Sequence, residues 1–278
     1  MAIGILHPGA MGASIGAALG ANGHDVRWVS ASRGEATSFR AAEAGMTPVP
    51  TVAALVDDCD TIISVCPPAA AVDVAAEVAT AGFDGLYVDA NAVSPRTARA
   101  IAESVDGAGA RAVDGGIVGP PVEIPGLTVL YLSGATDDVD AVAALFAGTA
   151  LSTHVAGSAP GAASAVKMAF AAWTKGTSAL LLAIRALAES HDVTDGLEHA
   201  WGVLTPELLD RTPQTVRGTA PKAWRFVGEM EEIAATFGDA GLPAGFHDAA
   251  ADIYTRLADL RDHPSPSLAE VLDRLAVD

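Results

Sequence analysis

The chain has 278 residues, half of them apolar, which is enough for a sizeable core and suits two domains better than one. With 34 acidic against 16 basic side chains the formal charge is -18, so nucleic acid and anionic lipid are excluded as partners. No apolar stretch reaches the length of a membrane span, because Arg185 interrupts the longest, "ALLLAIRALA".

An apolar strand opening directly after Met1 leaves no charged leader region, and a cytoplasmic protein is expected. Cys59 and Cys66 are too close together for a disulfide framework and lack metal-ligand spacing with the histidines. Reduced buried thiols and no metal are expected.

In chain order, strand-like runs fall at 2–6 ("AIGIL"), 25–30, 46–50, 61–66 ("TIISVC"), 85–90, 110–119 ("ARAVDGGIVG") and 127–134. Helical patterns fill the intervals at 11–22, 32–44, 68–81, 94–105 and 137–147. Alternation of this kind predicts an α/β fold, a doubly wound Rossmann-type sheet covered by helices. Beyond "STHVAGSAP" (152–160) every segment reads as helix. Residues 158–190 form one expected helix, roughly 50 Å long at 1.5 Å per residue, with Gly161 and Gly176 as places to bend. The expected division is a dinucleotide-binding domain over 1–157 and a helical substrate and dimerisation domain over 158–278, joined by that helix.

Residues 3–14 read "IGILHPGAMGAS", a strand, a glycine-spaced turn and a small-residue helix. In a dinucleotide fingerprint the first glycine permits the tight turn, the second admits the pyrophosphate, and the third allows close helix packing. Gly9 and Gly12 hold the second and third places, with Ala10 and Met11 between them. His7 replaces only the turn-former and Pro8 stiffens the same turn, so an anion site at the helix N-terminus is expected to survive. About twenty residues on, "WVSASRG" offers Ser30, Ser32 and Arg33 but no carboxylate for a ribose hydroxyl. That chemistry favours the 2'-phosphate of NADP, with NAD as the alternative.

Taken together, "IGILHPGAMG", "GHDV", "IISVCPP", "VDANAVSP", "VDGGIVGPP" and "GSAPGAASAVKMAF" resemble, in order, the β-hydroxyacid dehydrogenase family, which shares its cofactor domain with 6-phosphogluconate dehydrogenase. The turn and the C-terminal "EMEEIAATFGDAGLP" resemble a branch described as 6-phosphogluconate dehydrogenase-like, with its own helical C-terminal domain. The resemblance implies that Val65, Pro67, Asn91 and Ser94 border the nicotinamide and its ribose. It also implies that Lys167, on the cofactor side of the long helix, is the general acid or base in hydride transfer to or from a small hydroxy or keto acid-like substrate, and that the protein is a homodimer.

This chain departs from the family pattern at two places. Ala171 stands where the family has an asparagine one turn after the lysine, and Val118, Gly119 and Pro120 stand where it has Ser-Gly-Gly. Thr174, on the same helical face as Lys167, Ser164 and Ser178, is the candidate replacement partner. Gly119 and His247 complete the candidate substrate contacts, Trp224 is expected in the core, and Lys175 is expected as a solvated or domain-bridging charge. Imine reductases share the two-domain plan but generally lack the lysine, which makes them the alternative enzyme class. A non-catalytic NADPH-binding protein is the alternative outside enzymes.

Overall fold

The computed structural model describes residues 1–261 and 263–276. It contains β1 (Ala2–Leu6), α1 (Ala10–Ala21), β2 (Asp25–Val29), α2 (Glu35–Glu43), β3 (Thr47–Val49), α3 (Val52–Asp58) and β4 (Thr61–Ser64). A single 3-10 turn then leads into α4 (Ala71–Thr80), β5 (Leu86–Asp89), α5 (Pro95–Asp106), β6 (Arg111–Val118), β7 (Thr128–Gly134), α6 (Thr136–Leu145) and β8 (Leu151–Gly157). The remainder is helical: α7 (Ala162–Ser190), α8 (Thr194–Leu204), α9 (Glu207–Thr219), α10 (Ala223–Asp239), α11 (Gly245–Arg256) and α12 (Leu268–Leu275).

All eight strands form one sheet in the order β3-β2-β1-β4-β5-β6-β7-β8. Every pairing is parallel except β6 with β7. Strand order reverses between β1 and β4, the place where open α/β sheets leave a crevice at the carboxyl ends of their strands. The period-two side-chain alternation of β1 sorts the core. Ile3 and Ile5 pack with Ile15 and Leu19 of α1, whereas Leu6 joins Leu55 of α3 on the other face. Gly4 is small because a Cβ there would lie 2.9 Å from the Leu55 side chain.

Two elements escape the pattern of the sequence. β8 is an edge strand paired only with β7, and its burial is too patchy to leave an apolar alternation. α3 is seven residues long, too short for a periodic signal, and is started by the Thr51 hydroxyl accepting from Ala54 N–H. The long helix begins at Ala162 rather than at 158, since Gly161 has φ +93° in the left-handed region. Gly176 lies within α7 without interrupting it; a Cβ there would meet Phe246 at 3.3 Å.

The chain divides into two compact units, residues 1–168 and 169–278. In the second, α10 packs on α11 with Phe226 against Tyr254 and Phe237 against His247, and the Tyr254 hydroxyl donates to the Lys175 carbonyl at 2.7 Å. Cys59 and Cys66 are free and buried. No helix among the described residues is long and apolar enough to cross a membrane.

Candidate functional site

The glycine-spaced turn after β1 is tightly folded. His7 has φ +64°, so a histidine adopts the left-handed conformation that the first glycine normally supplies, at a cost of roughly 1–2 kcal/mol. Its carbonyl accepts from Gly9 N–H at 2.7 Å. A Cβ at Gly12 would lie 2.7 Å from that same carbonyl oxygen, which makes glycine obligatory where α1 crosses the turn. At Gly9 a Cβ would meet nothing within 4 Å, leaving open space in front of the helix. α1 carries neither a side-chain cap nor an acidic residue in its first turn. An uncapped, acid-free N-terminus facing open space suits an anion.

The imidazole of His7 is half-buried, and its Nδ1 has no hydrogen-bond partner among the described residues. Burial, with the Arg33 guanidinium adding to it, lowers its pKa from 6.5 to about 4, so the ring is neutral near neutral pH. Ser30 donates its hydroxyl to the Val49 carbonyl at 3.1 Å, tying β2 to β3. Ser32, at φ +59°, and Arg33 are exposed beyond the end of β2. The next acid along the chain, Glu35, opens α2 and is also exposed.

At the carboxyl ends of β4 and β5, Asn91 is buried and acts as an internal brace. Its side-chain oxygen accepts from Cys66 N–H at 2.6 Å, while its amide donates to Ser64 Oγ at 3.1 Å and to the Asp89 carboxylate. The brace fixes the segment that carries half-buried Val65 and exposed Pro67. Val65 N–H donates to the Leu6 carbonyl, across the point where the strand order reverses. Burial pushes the Cys66 thiol up to about 11, which keeps it protonated. Ser94 is wholly buried and caps α5, accepting from Thr97 N–H at 3.2 Å.

Lys167 lies half-buried in the second turn of α7. Gly116 of β6 lies directly beneath it: a Cβ there would be 2.5 Å from the Ala163 carbonyl oxygen and 3.1 Å from Lys167 Cβ. Two residues earlier, Asp114 is buried and accepts from Ser133 Oγ (2.7 Å), Ser164 Oγ (2.6 Å) and Ser164 N–H (3.1 Å). Sequence reasoning passed over Asp114 and Ser133. The available signal was a lone carboxylate within the otherwise uncharged run that follows Arg111 in "RAVDGGIV".

The remaining candidates have local roles. Gly119, at φ +133°, closes the β6–β7 hairpin, where a Cβ would lie 2.6 Å from the Leu127 carbonyl oxygen. Thr174 donates to the Phe170 carbonyl at 3.2 Å, back into its own helix, and Ala171 is wholly buried. His247 is buried against Phe237 and Phe246, with ring centroids at 4.3 and 5.2 Å, and burial lowers its pKa. Lys175 corrects an expectation: it is not solvated but pairs with Glu229 at 2.7 Å and lies over the Phe226 ring. An apolar ring on one side and a carboxylate on the other hold that amine within its own unit. Trp224 is half-buried rather than core, with the Arg261 guanidinium 4.1 Å from its ring centroid.

The sequence profile of the NAD binding domain of 6-phosphogluconate dehydrogenase matches residues 2–157, and that of a domain of unknown function, DUF1932, matches 188–257. No curated protein is matched. Among solved structures, 3-hydroxyisobutyrate dehydrogenase of Mycobacterium tuberculosis with L-serine is 19% identical, with 99% of both chains covered and a TM-score of 0.72. A conserved hypothetical protein of Sinorhizobium meliloti 1021 is 24% identical over 99% of this chain and 96% of that one, at 0.68. An imine reductase of Streptomyces aurantiacus is 20% identical, with 100% of each chain covered, at 0.58. At these identities the likeness establishes a common fold.

Proposed function

Because the chain belongs to the family of the NAD binding domain of 6-phosphogluconate dehydrogenase, we propose that it is an oxidoreductase using NADP in preference to NAD on a small hydroxy or keto acid-like substrate. The observation that carries this reading is the turn after β1: left-handed His7, a Gly12 that admits no side chain, and open space at Gly9 before an uncapped helix. A nicotinamide cofactor anchored by that turn would supply the hydride acceptor or donor. In this reading the backbone from Pro8 to Gly12, with Ala10 and Met11 opening α1, holds the pyrophosphate. Ser32 and Arg33 take the ribose phosphate, and the guanidinium matches its geometry. Val65 and Pro67 border the nicotinamide, and Asn91 holds their segment in place.

Lys167 handles the proton. As an ammonium it donates to the substrate oxygen during reduction, and as a neutral amine it accepts the hydroxyl proton during oxidation. Ser94, Gly119, Thr174 and His247 are the proposed substrate-side positions, with Thr174 rotating off the Phe170 carbonyl to engage. A second copy of the chain would cover the exposed Trp173, Leu180 and Leu187 of α7, giving a homodimer acting in the cytoplasm.

A second reading, imine reduction, is favoured by one observation: wholly buried Ala171 and the Val118-Gly119-Pro120 segment lack the polar side chains that would anchor a hydroxy acid. A panel of hydroxy acids, keto acids and cyclic imines, assayed with both cofactors on wild type and Lys167→Ala, separates the readings. Hydroxyacid turnover that falls about a thousandfold in the variant supports the proposal; imine turnover that persists there supports the second reading. Undiminished alcohol oxidation in the variant contradicts the role of Lys167.

A further inference from the structure

The first turn of α7 has four leading N–H groups, all of them accounted for. Ala162 N–H donates to the Ala159 carbonyl and Ala165 N–H to the Gly161 carbonyl. Ala163 N–H donates to Ser133 Oγ at 3.1 Å and Ser164 N–H to Asp114 Oδ2 at 3.1 Å. The middle two are thus satisfied by strands β7 and β6, not by a residue preceding the helix, and the sheet supplies the carboxylate that the helix dipole favours. Asp114 and Ser133 are directly opposite in the β6–β7 register and are themselves hydrogen-bonded, so the acceptor pair is fixed before the helix meets it.

Lys167 follows Ser164 by three residues, on the same face of the helix. Gly116 follows Asp114 by two, on the same face of the strand. One face of β6 therefore presents a carboxylate that grips Ser164 and then a gap that receives the backbone of Ala163 and the Cβ of Lys167. Sliding or rotating α7 on this strand breaks the Ser164 bonds at one end or drives the helix into β6 at the other.

We propose that Asp114 is a positioning residue for Lys167: with Ser133 and the gap at Gly116 it sets the axial register of α7 and so the seat of the lysine amine. The proposal rests on the assignment of Lys167 as the proton-handling group. It implies that disturbing the seat lowers turnover and changes the environment of that amine while cofactor affinity is retained.

The chain has only three lysines, Lys167, Lys175 and Lys222, so competitive acetylation with acetic anhydride across a range of pH, read by peptide mass spectrometry, follows Lys167 against exposed Lys222 without any substrate. The full-length chain is compared with Asp114→Asn and Gly116→Ala, alongside thermal melting and NADPH titration. The expected result is a change of about half a pKa unit in Lys167 labelling, about threefold at fixed pH, with NADPH affinity unchanged. An unchanged Lys167 to Lys222 ratio in both folded variants, with only the melting temperature lowered, assigns Asp114 to stability alone and overturns the proposal. Should Asp114→Asn not fold, Ser164→Ala removes the 2.6 Å bond alone and is read in the same way. The labelling result is independent of turnover, so a catalytically silent Lys167→Ala would end the assignment of the lysine and leave the seat itself separately measured.

Discussion

The N-termini of α1 and α7 obey the same electrostatics and are left in opposite states. α7 is filled from within: Asp114 and Ser133 satisfy its N–H groups and leave nothing for a ligand. α1 is left bare, with no cap, no acid in its first turn and open space at Gly9. Among the helices that cover the sheet, α2, α4 and α6 carry an acidic residue in the first turn, whereas α3 and α5 have a hydroxyl cap. Within the sheet unit, one helix end is completed by the strands beneath it and another is left without a cap, and the proposed function assigns an anion to the second.

Emptying the filled end has the largest expected effect. Asp114→Ala leaves two buried hydroxyls and one N–H without an acceptor, and a loss of about 3 kcal/mol in urea unfolding is expected. A loss indistinguishable from zero would mean that α7 does not depend on the sheet for its cap. Next in size is Arg33→Ala, beside the open end. Loss of a charge-assisted contact worth about 2 kcal/mol weakens NADPH binding about thirtyfold and leaves NADH binding unchanged. Equal weakening of both cofactors would remove Arg33 as the reader of a ribose phosphate.

The smallest effect belongs to His7→Gly, which relieves about 1 kcal/mol of left-handed strain, offset in part by the greater freedom of glycine in the unfolded chain. Its signature is the pH dependence. Between 6.5 and about 4 the unfolded histidine takes up a proton that the folded ring refuses, so wild-type stability is lost as pH falls through that window. The variant lacks this contribution, and its melting temperature gains on wild type toward pH 4. A gap that stays constant with pH would show that His7 is not held neutral by the fold.

Much of the sheet unit was legible because its signals are local. Glycine spacing marked the turn, apolar runs marked the central strands, and the Ser94-Pro95 pair marked the start of α5. β8 was not legible, since an edge strand with one neighbour needs no apolar alternation. Asp114 escaped because its meaning depends on a register with Ser133, 19 residues on, and on a helix turn 50 residues on. Lys175 was misjudged for the same reason, its carboxylate partner lying on α10. The sequence places Asn91 just beyond a strand, but its inward-facing amide depends on the ends of β4 and β5 lying side by side.

The central claim, that the bare end of α1 is the cofactor's anion site, is tested most directly by titrating NADPH into wild type and Gly9→Asp. Gly9 has φ -66° and an extended backbone at the N-cap, and a Cβ there meets nothing, so aspartate fits and caps the helix. The predicted result is a variant that melts at or above the wild-type temperature and binds NADPH on the order of a hundredfold more weakly, its carboxylate repelling the pyrophosphate. A wild-type protein with no affinity for either nicotinamide cofactor, or a variant that binds as tightly as wild type, would contradict it.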